Sequence, residues 1–126
     1  WGDVRLGNVV VGDDLGVVAV LDWEMSSIGW AEQDVAWFTS LSGMTEALLG
    51  SALPGFPGRD EVVAGVEARL GRPLAGLDWH EAFAAVRAAA VHVRTAVVAG
   101  RPPPDPARDG VVRHAAELVR RTTTPR

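Results

Sequence analysis

Apolar residues recur along this chain with two different periods, and the change of period divides it into a short β segment and a long helical one. Residues 9–11 and 17–21 are β-branched and apolar runs separated by Gly12-Asp13-Asp14-Leu15-Gly16, so they predict two strands joined by a hairpin turn. The second run is apolar throughout, as in a strand buried on both faces, and it ends at Asp22, which places a polar group at the strand's end. From Ala31 to Leu41 the positions of Val35, Phe38 and Leu41, with Ala31 and Trp37 beside them, follow helical spacing. Thr45, Ala47, Leu48 and Leu49 suggest a second, short helix, and Leu53-Pro54-Gly55-Phe56-Pro57-Gly58 is a loop by its breakers.

Beyond that loop, Asp60 is placed to cap a helix that runs to about Leu70 and ends at Gly71 and Pro73. Asp78 is placed to cap the longest helix, residues 79–99, with Phe83, Val86, Ala90, Val93 and Val97 as its apolar stripe and Gly100 as its stop. Residues 101–106 are Pro-rich and extended. Asp109 then opens a last helix through Val112, Ala115, Ala116 and Val119, and the tail from Thr122 to Arg126 is expected to fray. No internal repeat or domain boundary is visible, so the chain reads as one α+β unit: a small β-hairpin followed by a mainly helical bundle.

Composition narrows what this unit can do. With 126 residues, 48% of them apolar and 22% charged, the chain is an ordinary globular sequence, able to bury about two-thirds of its unfolded surface. A formal charge of −4 argues against binding the phosphates of nucleic acid. Cysteine is absent, which excludes disulfides, thiolate metal sites and a thiol nucleophile. No apolar run reaches the ~20 residues of a membrane span and no signal-peptide pattern is present, so a cytoplasmic protein without membrane contact is expected. All twelve basic residues are arginines. The chain enters at Trp1 directly into a dense motif and reads as a piece of a longer protein.

That motif is Trp1-Gly2-Asp3-Val4-Arg5-Leu6-Gly7-Asn8, followed fourteen residues after Asn8 by Asp22-Trp23-Glu24. An Asp, an Asn five positions later in a loop, and an Asp at the end of the next hairpin strand suit phosphoryl transfer, which needs one carboxylate for the nucleophile and two oxygen ligands for Mg²⁺. His80, His92 and His114 lie on predicted helices without metal-ligand spacing and read as surface or satisfied core residues; Trp23, Trp30, Trp37 and Trp79 read as core or pocket lining.

This order resembles the protein-kinase catalytic loop and, more closely, the aminoglycoside phosphotransferase and choline kinase branch of kinase-like enzymes. The matching residues are Gly2-Asp3, Asn8, Val18-Ala19-Val20-Leu21-Asp22-Trp23-Glu24, Gly29 and Asp34-Val35-Ala36-Trp37, spread over about the first 40 positions. The Asp-Trp-Glu form is also similar to bacterial phosphotransferases related to the kinase-like domain of some acyl-CoA dehydrogenases. The resemblance implies a protein-kinase-like fold, with residues 1–126 as its C-terminal, catalytic and substrate-binding lobe. It implies an ATP-dependent transfer of the γ-phosphoryl group to a hydroxyl of a small molecule, aminoglycoside-like or another hydroxylated metabolite.

By the same resemblance Asp3 is the catalytic base, Arg5 stabilises charge on the transferring group, and Asn8 and Asp22 hold Mg²⁺ against the nucleotide, with Glu24 as a further metal ligand. Asp34 would brace the loop from the following helix. Glu32, Trp37, Glu81 and Arg87 are candidates for reading the acceptor. The chain departs from the pattern in two ways. Trp1 stands where the family has His, and an indole offers one donor and no acceptor. No Gly-rich phosphate loop or strand lysine is present, so the nucleotide-binding lobe is missing from these residues, and the 126 residues alone are expected to be inactive and aggregation-prone. The competing reading is a noncatalytic kinase-like helical module that binds a partner or small ligand.

Overall fold

The computed structural model describes residues 1–123, and the part of the expected frayed tail from residue 124 onward lies outside them. A turn of 3-10 helix at Leu6–Asn8 leads into strand β1 (Val9–Val11), which pairs antiparallel with β2 (Val17–Val20). Four helices follow: α1 (Ala31–Leu49), α2 (Arg59–Leu70), α3 (Leu77–Val98) and α4 (Gly110–Thr123). The class is therefore α+β, a two-stranded hairpin with four helices.

The hairpin turn forms as its residues dictate. Gly12 N–H donates to the Gly16 carbonyl (2.9 Å), and the Asp14 carboxylate accepts from Gly16 N–H (2.9 Å), so the turn closes on its own polar groups. Val9 faces Val20 and Val10 faces Ala19, with an irregularity before Val11. The expectation that the second strand is buried on both faces is corrected: Val18 is 68% exposed, Val17 is equally open, and only Ala19 and Val20 are partly covered. An apolar run identifies a strand that wants cover, and among the described residues these two strands pack mainly on each other.

Helix α1 runs unbroken through Ser42 and Gly43, where two helices were expected, and ends at Gly50 in the left-handed conformation (φ 75°). The Ser42 and Thr45 hydroxyls donate to the carbonyls of Phe38 and Leu41, which satisfies their polarity within the helix. Helix α2 starts at Arg59, one residue before the expected cap Asp60. The Glu61 carboxylate, in its first turn, accepts from Gly58 N–H instead (3.1 Å), and Asp60 pairs with Arg59. Likewise α3 begins after Gly76, and Asp78 sits in the first turn rather than at the cap. Helix α4 is capped as expected, since Asp109 Oδ1 accepts from Val111 and Val112 N–H.

The apolar stripe expected on α3 is also corrected. The buried apolar residues are Leu77, Ala82, Ala84, Ala85, Ala88 and Ala96, while of the expected stripe Phe83, Val86, Ala90 and Val97 are exposed and Val93 is half-buried. Hydropathy ranks Phe and Val above Ala. Helix α3, however, lies along both α1 and α4, and a face of alanines lets helices approach closely. The core joins Val35, Ala36 and Trp37 of α1 to Leu77, Ala84 and Ala88 of α3, with Val62, Val63 and Val66 of α2 packed alongside.

Two ion pairs fasten this core. Glu32, 1% exposed, accepts from Arg72 Nη1 (2.6 Å) and from Ala75 N–H (3.0 Å), tying the start of α1 to the α2–α3 connection. Glu81 on α3 accepts from Arg59 Nε (2.7 Å) and Nη2 (2.9 Å) on α2 and from the Thr39 hydroxyl on α1. Among the described residues no helix is long and apolar enough to cross a membrane.

Candidate active site

The loop from Trp1 to Asn8 converges on the carboxylate of Asp3. Its Oδ2 accepts from Asn8 Nδ2 (2.7 Å) and from Arg5 Nε (2.9 Å), and its Oδ1 accepts from the Trp37 indole N–H (2.9 Å). A carboxylate offers about four acceptor positions, so these three donors leave one for an incoming hydroxyl. Burial opposes the charge of Asp3, but the hydrogen bonds from Arg5, Trp37 and Asn8 outweigh it, and the pKa lies below the ordinary carboxylate value. Asp3 is therefore ionised at neutral pH.

Asn8 is buried, and its amide nitrogen donates to both the carboxylate and the backbone carbonyl of Asp3. Its acceptor oxygen remains for a ligand. The Asn8 carbonyl accepts from Leu21 N–H (2.8 Å), which extends the hairpin ladder by one step and sets Asp22 next to the Trp1–Asn8 loop. Asp22 adopts φ +60°, a conformation few non-glycine residues take, and it is exposed together with Glu24. The pattern thus brings Asp3, Arg5 and Asn8 into one hydrogen-bonded cluster, with Asp22 attached through the backbone and Glu24 two residues on in the following turn.

Trp1 uses its one side-chain donor on the Leu21 carbonyl (2.8 Å), a second strut between loop and strand. Trp23 does the same to Val20 (2.7 Å), and the rings of Trp1 and Trp23 lie 6.0 Å apart. Trp23, Trp30 and Trp79 are exposed and so not core residues, while Trp30 lines a polar hollow beside Gly29 and Asp34, in keeping with the expectation of core or pocket lining. Trp79 stacks on Phe83 at 5.6 Å. Of the histidines, His92 meets Asp109 at 3.0 Å, whereas His80 is half-buried with its Nδ1 lacking a hydrogen-bond partner among the described residues, which the expectation of surface or satisfied core histidines does not cover.

The helices hold the loop from behind. Asp34 accepts from the backbone nitrogens of Trp1 (2.9 Å) and Gly2 (2.8 Å), the bracing geometry anticipated for it. Trp37, one turn later, reaches Asp3. Arg87 of α3 lies over the Trp37 ring at 4.0 Å and donates to the Gly2 carbonyl (2.7 Å), so it fixes both the loop and the indole that orients Asp3. Gly2 has φ +93°, and a Cβ there would strike the Met25 carbonyl oxygen. Of the four candidates for reading the acceptor, Glu32 and Glu81 are engaged in ion pairs and Arg87 lies behind the Trp1–Asn8 loop, whereas Trp37 donates to Asp3 and also lines the cleft in front of it. Trp37 could have been suspected from its place three residues after Asp34 on one helix face; Arg87 carries no local signal.

In front of Asp3 and Arg5 opens a cleft of about 450 Å³ between α1 and α3. No group of three or more Asp, Glu or His side chains that could hold a metal by themselves occurs among the described residues. Any cation here would take Asn8 and Asp22 as partial ligands, as fits Mg²⁺, which keeps waters and phosphate oxygens in its shell.

A family model, the phosphotransferase enzyme family (APH), matches residues 1–83. The chain belongs to this family. The match spans the loop, the hairpin, α1, α2 and the first turns of α3, so every residue of the Asp3 cluster lies inside it, whereas Arg87 and the cleft wall on α3 lie beyond its end.

Proposed function

We propose that residues 1–126 are the C-terminal, catalytic lobe of a kinase-like O-phosphotransferase that moves the γ-phosphoryl group of ATP to a hydroxyl of a small molecule. The observation that carries this reading is the Asp3 carboxylate: ionised, oriented by three donors, and left with one open acceptor position at the mouth of a cleft. Asp3 orients the acceptor hydroxyl and takes its proton as the new O–P bond forms and the bond to the leaving nucleotide breaks. Arg5, at 2.9 Å from Asp3, is within reach of charge on the transferring group. Asn8 and Asp22 would hold Mg²⁺, with Glu24 able to assist, and the cation neutralises phosphate charge when bound.

The nucleotide lobe is supplied in cis, and the apolar residues exposed on the hairpin (Val10, Val11, Val17, Val18 and Leu21) are the surface it would cover. Without it the 126 residues bind nucleotide poorly, turn over little and tend to aggregate. The Asp22-Trp23-Glu24 form supports a place near the bacterial phosphotransferases related to the kinase-like domain of some acyl-CoA dehydrogenases, and a cytoplasmic location accompanies the use of ATP. The test is Mg²⁺-dependent ATP binding and phosphoryl transfer by the polypeptide extended upstream, beside Asp22→Ala. Loss of both in the variant supports the reading. Nucleotide binding that survives Asp22→Ala, or is absent from the extended protein, refutes it and leaves a noncatalytic helical module.

A further inference from the structure

The cleft beside Asp3 has a chemical character that its family does not dictate. Two helical stripes face each other across it: Trp37, Leu41 and Met44 on α1, and Ala88, Val91, His92 and Thr95 on α3. With Met25 from the loop after β2, the walls are mostly apolar, and its two methionines adapt to different apolar shapes. The volume of about 450 Å³ suits a molecule of drug size.

The charges lining this cleft are already matched. Asp3 is its one acidic residue, and the Arg5 guanidinium sits 2.9 Å from it. His92 meets Asp109 at 3.0 Å, and that carboxylate also accepts the first N–H groups of α4. The one aromatic wall, Trp37, carries the Arg87 guanidinium over one face of its ring, so a second cation on the other face would meet a like charge across the ring. A polycationic or quaternary-ammonium ligand entering here would lose its hydration against mostly apolar walls and find in return only Asp3, whose charge is already paired with Arg5.

Resting on the phosphotransferase reading above, we infer that the acceptor is a largely apolar, neutral alcohol seated between α1 and α3, and not a polyamine sugar or a quaternary ammonium. Its hydroxyl lies at the Asp3 end and its apolar body against Met44 and Val91.

The test measures binding without nucleotide, by calorimetry or ligand-observed NMR, on the protein carrying its upstream segment. The probes are 4-phenyl-1-butanol and the amino sugar neamine. Val91→Arg, at a position 54% exposed and so tolerated by the fold, places a charge in the apolar wall. We expect saturable binding of the alcohol, weakened about tenfold or more by V91R, and neamine binding weaker than the alcohol by at least a similar factor. Tighter binding of neamine, alcohol binding unchanged by V91R in a variant with native circular dichroism, or no saturable alcohol binding would each overturn the inference. A phosphoryl-transfer assay with the same probes separates the two claims. Transfer to neamine but not to the alcohol overturns the cleft's ligand class and leaves the reaction standing; alcohol binding without any transfer overturns the reaction and leaves the ligand class standing.

Discussion

Replacing Glu32 with glutamine alters one atom in a site that holds three elements together. The wild-type carboxylate accepts from Arg72 through both oxygens (2.6 and 3.3 Å) and from Ala75 N–H (3.0 Å). The Arg72 hydrogen bonds are the main cause that takes its pKa from 4.5 down to about 2; burial opposes them and the Ala75 N–H assists. The distance between those two values sets a ceiling of about 3 kcal/mol on what ionisation of Glu32 adds to stability. Arg72 is 44% exposed, so solvent screens its charge and the net contribution falls to roughly 1–2 kcal/mol.

Because the folded-state pKa is depressed, that contribution is complete above the unfolded value near 4.5 and disappears as the pH falls toward 2. Glu32→Gln also turns an amide N–H₂ toward the guanidinium or leaves a donor unpaired, which brings the expected loss at pH 7 to about 2 kcal/mol. Urea unfolding followed by helical circular dichroism, repeated from pH 7 to 2.5, measures both quantities. The wild-type and variant curves should converge below pH 4.5, since Asp3 and Asp109 titrate in both. Curves that stay parallel from pH 5 to 2.5, or a difference below about 0.5 kcal/mol at pH 7, would refute the reasoning.

Two further outcomes follow from the loop. Gly2→Ala drives a methyl group into the Met25 carbonyl at a left-handed φ, so thermal melts should show a loss of about 2 kcal/mol and the extended protein should lose most of its turnover; a variant as stable as wild type would contradict the geometry. Trp37→Phe removes one of the donors that keep the pKa of Asp3 low, so the acid limb of the kcat/KM profile should move to higher pH with a fall in kcat of about tenfold, and an unmoved acid limb would separate Trp37 from Asp3.

The parts of this structure that were legible in the sequence are those decided by neighbours. The Gly12–Gly16 turn, the helix stops at Gly71 and Gly100 and the Asp109 cap follow from backbone preferences within a few residues, and the closeness of Asp3 and Asn8 follows from their five-residue spacing. What was missed depends on distance or on shape. The continuation of α1 through Gly43 reflects tertiary support that outweighs a local glycine cost. The alanine face of α3 is chosen by how closely helices approach, which hydropathy does not register. The Glu32–Arg72 and Glu81–Arg59 pairs, and the Trp37 and Arg87 contacts behind Asp3, join residues 22 to 85 positions apart, and charge or aromatic content at one end does not name its partner at the other.

Arg87 and Val91 stand one turn apart on α3, the first anchoring the Trp1–Asn8 loop and the second lining the cleft proposed to take the acceptor. A change in that wall that rolls or shifts α3 by a fraction of a turn moves the guanidinium off the Gly2 carbonyl as well. On the proposed reading, substrate range and reaction rate would not be independently adjustable: retuning the cleft on α3 alters the alignment of Asp3, whereas retuning it on the far side, at Leu41 or Met44, leaves Arg87 in place. On that reading, acceptor preference would drift most freely along α1 beyond Trp37.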